Sequence, residues 1–320
     1  MTMQFDEFAQ DLSADGVLTA AEILSLRSEA WRDGRIDPDE AEALFLANAA
    51  LAEPSAEWTA FFVEALSEYV VNTVEPHGYV DQDMADELVS RTSADGRIGT
   101  LAELELLVRV LEKAASVPPS LKDFALAQIE TIVLASEGVT RGGEPTAEGI
   151  NATECALLRR MVFAAGGDRP AAVSKSEAEL LFRLKDAALY ENNASEWQTL
   201  FVQGVANFLL GFGGHEPLPA ERASELETFM ASEGAGIGGF LGRMLTSKPD
   251  LEGAFGSLLG SEPETESIAE AAEEAAELTA DEAAWLHDKL DADEELDEFE
   301  KALIAFIDAE TGEQFVPRGL

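Results

Sequence analysis

The sequence predicts an all-α protein of two related multi-helix units followed by a truncated C-terminal helix pair. Three observations predict it. Apolar residues recur at helical spacing through most of the chain. One helix-start signal keeps returning: an apolar residue, then Ser, Thr or Asp, then Glu three places on. The stretch around 40–71 also resembles the stretch around 177–210.

Taken in order, residues 20–31 carry Ile23, Leu24, Leu26 and Trp31 on a helical stripe. Residues 38–51 carry Ala41, Leu44, Phe45 and Leu51, and residues 57–74 carry Trp58, Phe61, Phe62, Leu66, Tyr69 and Val70. The pair Val70-Val71 is too short to argue for a strand. Helices follow near 82–92, 100–115 and 120–136, the last two parted by Pro118-Pro119, because a proline pushes the residue before it out of helical geometry. A further helical run spans Glu154 to Phe163.

The start signal reads as Leu18-Thr19…Glu22, Ile36-Asp37…Glu40, Val173-Ser174…Glu177, Leu278-Thr279…Glu282 and Leu296-Asp297…Glu300. Thr100…Glu103 follows Ile98 with one residue displaced. In such a capping box the hydroxyl or carboxylate accepts from the glutamate's amide, and the glutamate reaches back to the cap's amide. Each is worth about 1 kcal/mol.

The longer repeat aligns Glu40-Ala41-Glu42-Ala43-Leu44-Phe45 with Glu177-Ala178-Glu179-Leu180-Leu181-Phe182, Trp58 with Trp197, and Phe62 with Phe201. Upstream, Glu22 and Leu26-Arg27 align with Glu154 and Leu158-Arg159. Trp58 and Trp197 should therefore be buried alike. The organisation read from this is an N-terminal helical unit over 1–136 and a Gly-rich linker over 137–150. A second unit covers 151–232, a Gly-rich then acidic linker covers 233–277, and a helix pair covers 278–320. Residues 262–278 read as an acidic, Ala-rich helix.

The candidate chemistry lies at residues 11–22. Asp11, Ser13 and Asp15 stand at the first, third and fifth positions of a twelve-residue loop, Gly16 at the sixth, Val17 at the seventh, Thr19 at the ninth and Glu22 at the twelfth. The loop resembles an EF-hand calcium site. The resemblance implies one Ca²⁺ held by Asp11, Ser13, Asp15, the Val17 carbonyl, Thr19 and Glu22, with Glu22 closing the shell. The same residues read equally as a metal-free helix start, with Thr19 and Glu22 forming a capping box behind Leu18. The other copies do not repeat the ligands. The corresponding places hold Gly143, Pro145 and Ala147, and then Ala271, Glu273 and Ala275. A metal site therefore belongs to the first copy alone.

The frame Ala14-Asp15-Gly16-Val17-Leu18…Glu22 recurs as Asp33-Gly34-Arg35-Ile36…Glu40 and, with its glutamate late, as Ala94-Asp95-Gly96-Arg97-Ile98…Glu103. It resembles the TerB-like family of acidic helical domains. That resemblance implies a small all-α domain and a stress-linked role.

Composition narrows the functional classes. The formal net charge is -42, from 63 acidic and 21 basic residues. Such a field repels nucleic-acid backbones and anionic membranes, and it favours cations and basic protein partners. Adaptation to a salty environment would also produce this charge. Cys155 is the single cysteine, so no intrachain disulfide forms, as expected of a cytoplasmic protein. The first residues lack a signal-peptide pattern, and no apolar run reaches membrane-spanning length. No phosphate loop, nucleophile elbow or His/Cys cluster appears, and His77, His215 and His287 are scattered. No catalytic residue and no enzyme activity are expected. Two readings remain: a calcium-binding regulatory or buffering protein, and a metal-free acidic module that docks a basic protein.

Overall fold

In the computed structural model, the residues described are 18–30, 35–51, 54–94, 96–142, 149–164, 166, 172–210, 224, 279–290, 295–312 and 314–317. They are 71% helical, and the fold is all-α. Asp11, Ser13, Asp15 and Val17 lie outside them. So do His215, the 233–277 linker, the acidic stretch 262–278, Trp31, and Asp33 and Gly34 of the second Asp-Gly frame.

The helices begin where the chain marks them. Helix α1 is Ala20–Ala30 and α2 is Pro38–Ala50. Asp37 and Glu40 form a complete capping box on α2, with Pro38 in the first turn. Helix α3, Ala56–Asn72, is capped by the Ser55 side chain, and α4, Gln82–Thr92, by that of Asp81. A two-residue antiparallel pair follows, β1 Ser93–Ala94 with β2 Arg97–Ile98. Gly96 turns it at φ 78°, a left-handed conformation that glycine adopts without steric cost. The Ala94-Asp95-Gly96-Arg97-Ile98 frame thus builds a hairpin into an otherwise helical chain.

Helix α5, Leu101–Lys113, starts on the Thr100/Glu103 box, and α6, Pro119–Ala135, starts on the proline pair. A short 3₁₀ turn, Val139–Arg141, precedes α7, Ala152–Val162. Helix α8 is Lys175–Ala188, α9 is Trp197–Leu209, α10 is Ala280–Leu290 and α11 is Glu298–Thr311.

The buried apolar side chains of these helices join one continuous core. Helix α5 lies along α3, and α11 lies along α9. Helix α7 packs on α5 and α6, and α8 packs on α6 as well as on α9. Arg141, inside the stretch read as a linker, is buried and holds the start of α7. Trp58 and Trp197 are both 0% exposed, as are Phe62 and Phe201. Their surroundings also match. Phe45 meets Phe62 edge-on at 5.7 Å and 89°, and Phe182 meets Phe201 at 5.1 Å and 81°. Fully burying one such aromatic contributes about 1.5–3 kcal/mol. These rings therefore fix how α2 sits on α3 and how α8 sits on α9.

Candidate functional site

The capping boxes do more than start helices. In four of them a side chain from a neighbouring element reaches the box glutamate. The Asn48 amide on α2 donates to Glu103 at 3.3 Å. Arg141 donates to both carboxylate oxygens of Glu154 at 2.7 and 2.8 Å, and Thr140 adds a third bond at 2.7 Å. Lys122 on α6 pairs with Glu177 at 2.8 Å. Lys185 on α8 pairs with Glu300 at 2.8 Å and with the cap Asp297 at 2.5 Å. All four glutamates are buried. Each therefore joins the start of its own helix to a different part of the fold.

The box that closes the loop is a local one, with the same bonds as the Thr279/Glu282 box. The Thr19 amide donates to Glu22 Oε2 at 2.8 Å and the Thr19 hydroxyl donates to the same oxygen at 2.6 Å. The Glu22 amide returns to the Thr19 hydroxyl at 3.4 Å. The Thr19 hydroxyl, then its amide, holds the Glu22 carboxyl below its ordinary range. Leu18 and Ile23 are buried on either side of this box, the apolar staple that fixes how the chain enters α1. Glu22 itself is exposed, and no cation pairs with it among the described residues. Both hydrogen bonds to the carboxylate end on one oxygen, Oε2. Thr19 and Glu22 are the two proposed calcium ligands that the structure describes, and it brings them together as a helix cap.

Cys155 is buried in α7, where burial pushes its thiol up and disfavours the reactive thiolate. His287, on α10, stacks on Phe315 at 4.7 Å. A cleft between α6 and the start of α8 is lined by Val117, Lys122, Val173, Ser174 and Phe208. Its one deeply placed cation, Lys122, is already committed to Glu177. No group of three or more His, Cys, Asp or Glu side chains converges on a metal position among the described residues. No described helix is long and apolar enough to cross a membrane.

The residues missed from sequence are the partners of the box glutamates, Asn48, Lys122, Arg141 and Lys185, together with the Asn151/Glu154 box itself. A signal for two of them existed. Under the repeat alignment Asn48 and Lys185 occupy the same place, the first eight residues beyond Glu40 and the second eight residues beyond Glu177.

Comparisons with protein-family models, with curated proteins and with solved structures each give no match. The EF-hand and TerB-like resemblances therefore rest on the residues that carry them.

Proposed function

We propose that this protein is an acidic helical interaction module that docks a basic protein partner through surface carboxylates and needs no metal to do so. One observation carries the reading. The fold commits its cations internally: Lys122, Arg141 and Lys185 to buried carboxylates, Arg160 to Glu105 and Glu112, and Arg91 to Glu42 and Glu87. With a formal net charge of -42, what remains outside is uncompensated negative surface. Such a surface attracts a basic partner over a range set by salt, about 10 Å at 0.1 M ionic strength. It disfavours nucleic acid for the same reason.

The test is capture of proteins from a lysate by the tagged full chain in chelator. The expected result is a set of basic proteins held at low ionic strength and released by high salt. Capture that survives high salt, or that appears only when calcium replaces the chelator, contradicts this reading.

A second reading is favoured by the exposed box. Four other box glutamates are buried and bonded to side chains from elsewhere, whereas Glu22 keeps a carboxylate open to solvent. Glu282 has the same local box but follows Ala271 and Ala275, so it is the acidic positions before Glu22 that set it apart. We propose it as the closing ligand of one Ca²⁺ bound with Asp11, Ser13, Asp15, the Val17 carbonyl and Thr19. A lone site of this kind binds weakly, with Kd of roughly 10⁻⁵ to 10⁻³ M. Calorimetric titration of wild type against Glu22→Gln tests it. Saturable heat in the wild type that is lost in the variant, with helix content unchanged, supports the site. No saturable heat by millimolar calcium removes it.

A further inference from the structure

The cleft between α6 and the start of α8 holds a buried ammonium that donates no hydrogen bond to any described residue. Lys122 is 9% exposed, and its Nζ stands 2.8 Å from Glu177 Oε1. Yet that oxygen is buried and accepts no hydrogen bond. The two groups are close but not aligned, so Lys122 is committed to Glu177 as a charge and not as a donor. The other oxygen, Oε2, is taken up by the Ser174 amide at 2.8 Å and the Ser174 hydroxyl at 2.7 Å. An ammonium carries three N–H donors and no acceptor. Burying such donors unanswered is costly, and Lys122 lines a space in which an acceptor has room.

The walls of that space are pinned. The Val117 amide donates to the Gly166 carbonyl at 3.1 Å, and the Gly166 amide donates to the Leu111 carbonyl at 2.9 Å. Gly166 has no room for a side chain, because a Cβ there would lie 2.7 Å from the Leu111 carbonyl oxygen. On the other side the Val173 amide donates to Asn207 Oδ1 on α9 at 2.8 Å. Leu126, one turn beyond Lys122 on α6, and Phe208 on α9 complete the apolar lining. The cavity measures about 160 Å³. An apolar cavity of about 150 Å³ holds a benzene-sized molecule, so a body of one six-membered ring fits here.

We infer that this cleft binds a small neutral carbonyl compound, a ring-sized apolar body whose oxygen accepts from Lys122. Charge decides between the chemical classes. A cation would meet the Lys122 ammonium. An anion would approach Glu177, which already balances Lys122, inside a protein of formal net charge -42. A neutral acceptor satisfies the ammonium and leaves that balance intact, while Val117, Leu126, Val173 and Phe208 take the hydrocarbon part. Binding of this kind is independent of the basic-partner reading. The ligand is uncharged and its contacts are buried, so salt does not screen it away.

The probes are cyclohexanone and methylenecyclohexane, which share a shape and differ in the acceptor. The full chain is titrated with each by saturation-transfer NMR, beside a Lys122→Met/Glu177→Gln double variant. That variant removes both charges together and keeps a residue able to complete the capping box. The wild type should bind the ketone saturably, with Kd on the order of 1 mM. The ratio of ketone to alkene affinity should fall about tenfold in the double variant, the mark of a hydrogen bond from a charged donor. Absence of saturable ketone binding to the wild type overturns the inference, and so does a ratio that the double variant leaves unchanged. Should the double variant fail to fold, nuclear Overhauser contacts in the wild type decide. Contacts from the bound ketone to the methyl groups of Val117, Leu126 and Val173 support the cleft. Contacts elsewhere, or none, overturn it.

Discussion

Asn48 and Lys185 hold the same place in the two halves and make the same kind of link with different charge. Asn48 is neutral and serves three groups, its amide also donating to the Thr100 hydroxyl at 3.1 Å. Its carbonyl oxygen accepts from the Trp58 indole at 3.1 Å while its amide donates to Glu103 at 3.3 Å. Lys185 is charged and serves only acids: Asp297, Glu300 and the neighbouring Asp186. An ammonium has no acceptor to offer, and the Trp197 indole nitrogen is left buried without a hydrogen-bond partner. The difference shows in protonation. Burial pushes the Glu103 carboxyl up, and the bonds from Thr100, Gly99 and Asn48 only partly offset it. At Lys185 burial opposes the charge, but the bonds to Asp186, Asp297 and Glu300 outweigh it and hold the ammonium above the ordinary lysine range. A neutral link thus satisfies its surroundings cheaply. A charged one binds harder and depends on every partner staying in place.

The largest effect is expected from Lys185→Met. It leaves Glu300 and Asp297 with no cation, at side-chain exposures of 2% and 12%. Stranding buried carboxylates in this way should cost about 3 kcal/mol in urea unfolding, with α10–α11 released first. Alkali should imitate the substitution. Because the folded lysine titrates above its unfolded value, its stabilisation is whole below about pH 10.4 and is lost as the pH rises through the folded value. The stability gap between wild type and Lys185→Met should therefore stay constant up to that pH and close above it.

Asn48→Ala comes next. It removes the acceptor of the Trp58 indole and one donor to Glu103, for an expected loss of about 2 kcal/mol. Lys185→Asn sharpens the comparison by moving the first half's chemistry into the second. It gives the Trp197 indole an acceptor while removing the cation, so it should be less damaging than Lys185→Met by about 1 kcal/mol. A loss equal to that of Lys185→Met would mean that the two sites are not equivalent in geometry. The smallest effect is Glu22→Gln. The exposed box keeps a usable capping residue, and circular dichroism and the urea midpoint should move by no more than about 0.5 kcal/mol.

The helices were readable from the sequence because each declares itself locally. A box such as Ser174/Glu177 or Asp297/Glu300 lies within one turn, and a stripe such as Trp58, Phe62 and Leu66 lies along one helix. Even so, the Asn151/Glu154 box escaped notice, although Ile150 stands before it. The hairpin at Gly96 was hidden because two paired residues on each side carry no periodicity. The links between helices could not be read at all from a single stretch. Lys185 stands at helical spacing from Leu181, Phe182 and Ala188, which places it on the buried stripe, but the acids it meets, Asp297 and Glu300, lie more than a hundred residues further along the chain. Arg141 sat in a Gly-rich stretch that looked like a connector. The calcium reading divides on the same line. Thr19 and Glu22 form a local box visible in both sequence and structure, while the other loop ligands must converge over a longer curl of chain.

The central claim is that side chains from neighbouring elements tie down the box glutamates, and that the tie is stronger where it is charged. Paired double-mutant cycles on Lys185 with Glu300 and on Asn48 with Glu103, using Met or Ala for the first member and Gln for the second, test it most directly. The account predicts a coupling of about 2 kcal/mol for Lys185–Glu300, largely kept in high salt because the pair is buried, against about 1 kcal/mol for Asn48–Glu103. A Lys185–Glu300 coupling that is no larger than its neutral counterpart, or that disappears with salt, would contradict it.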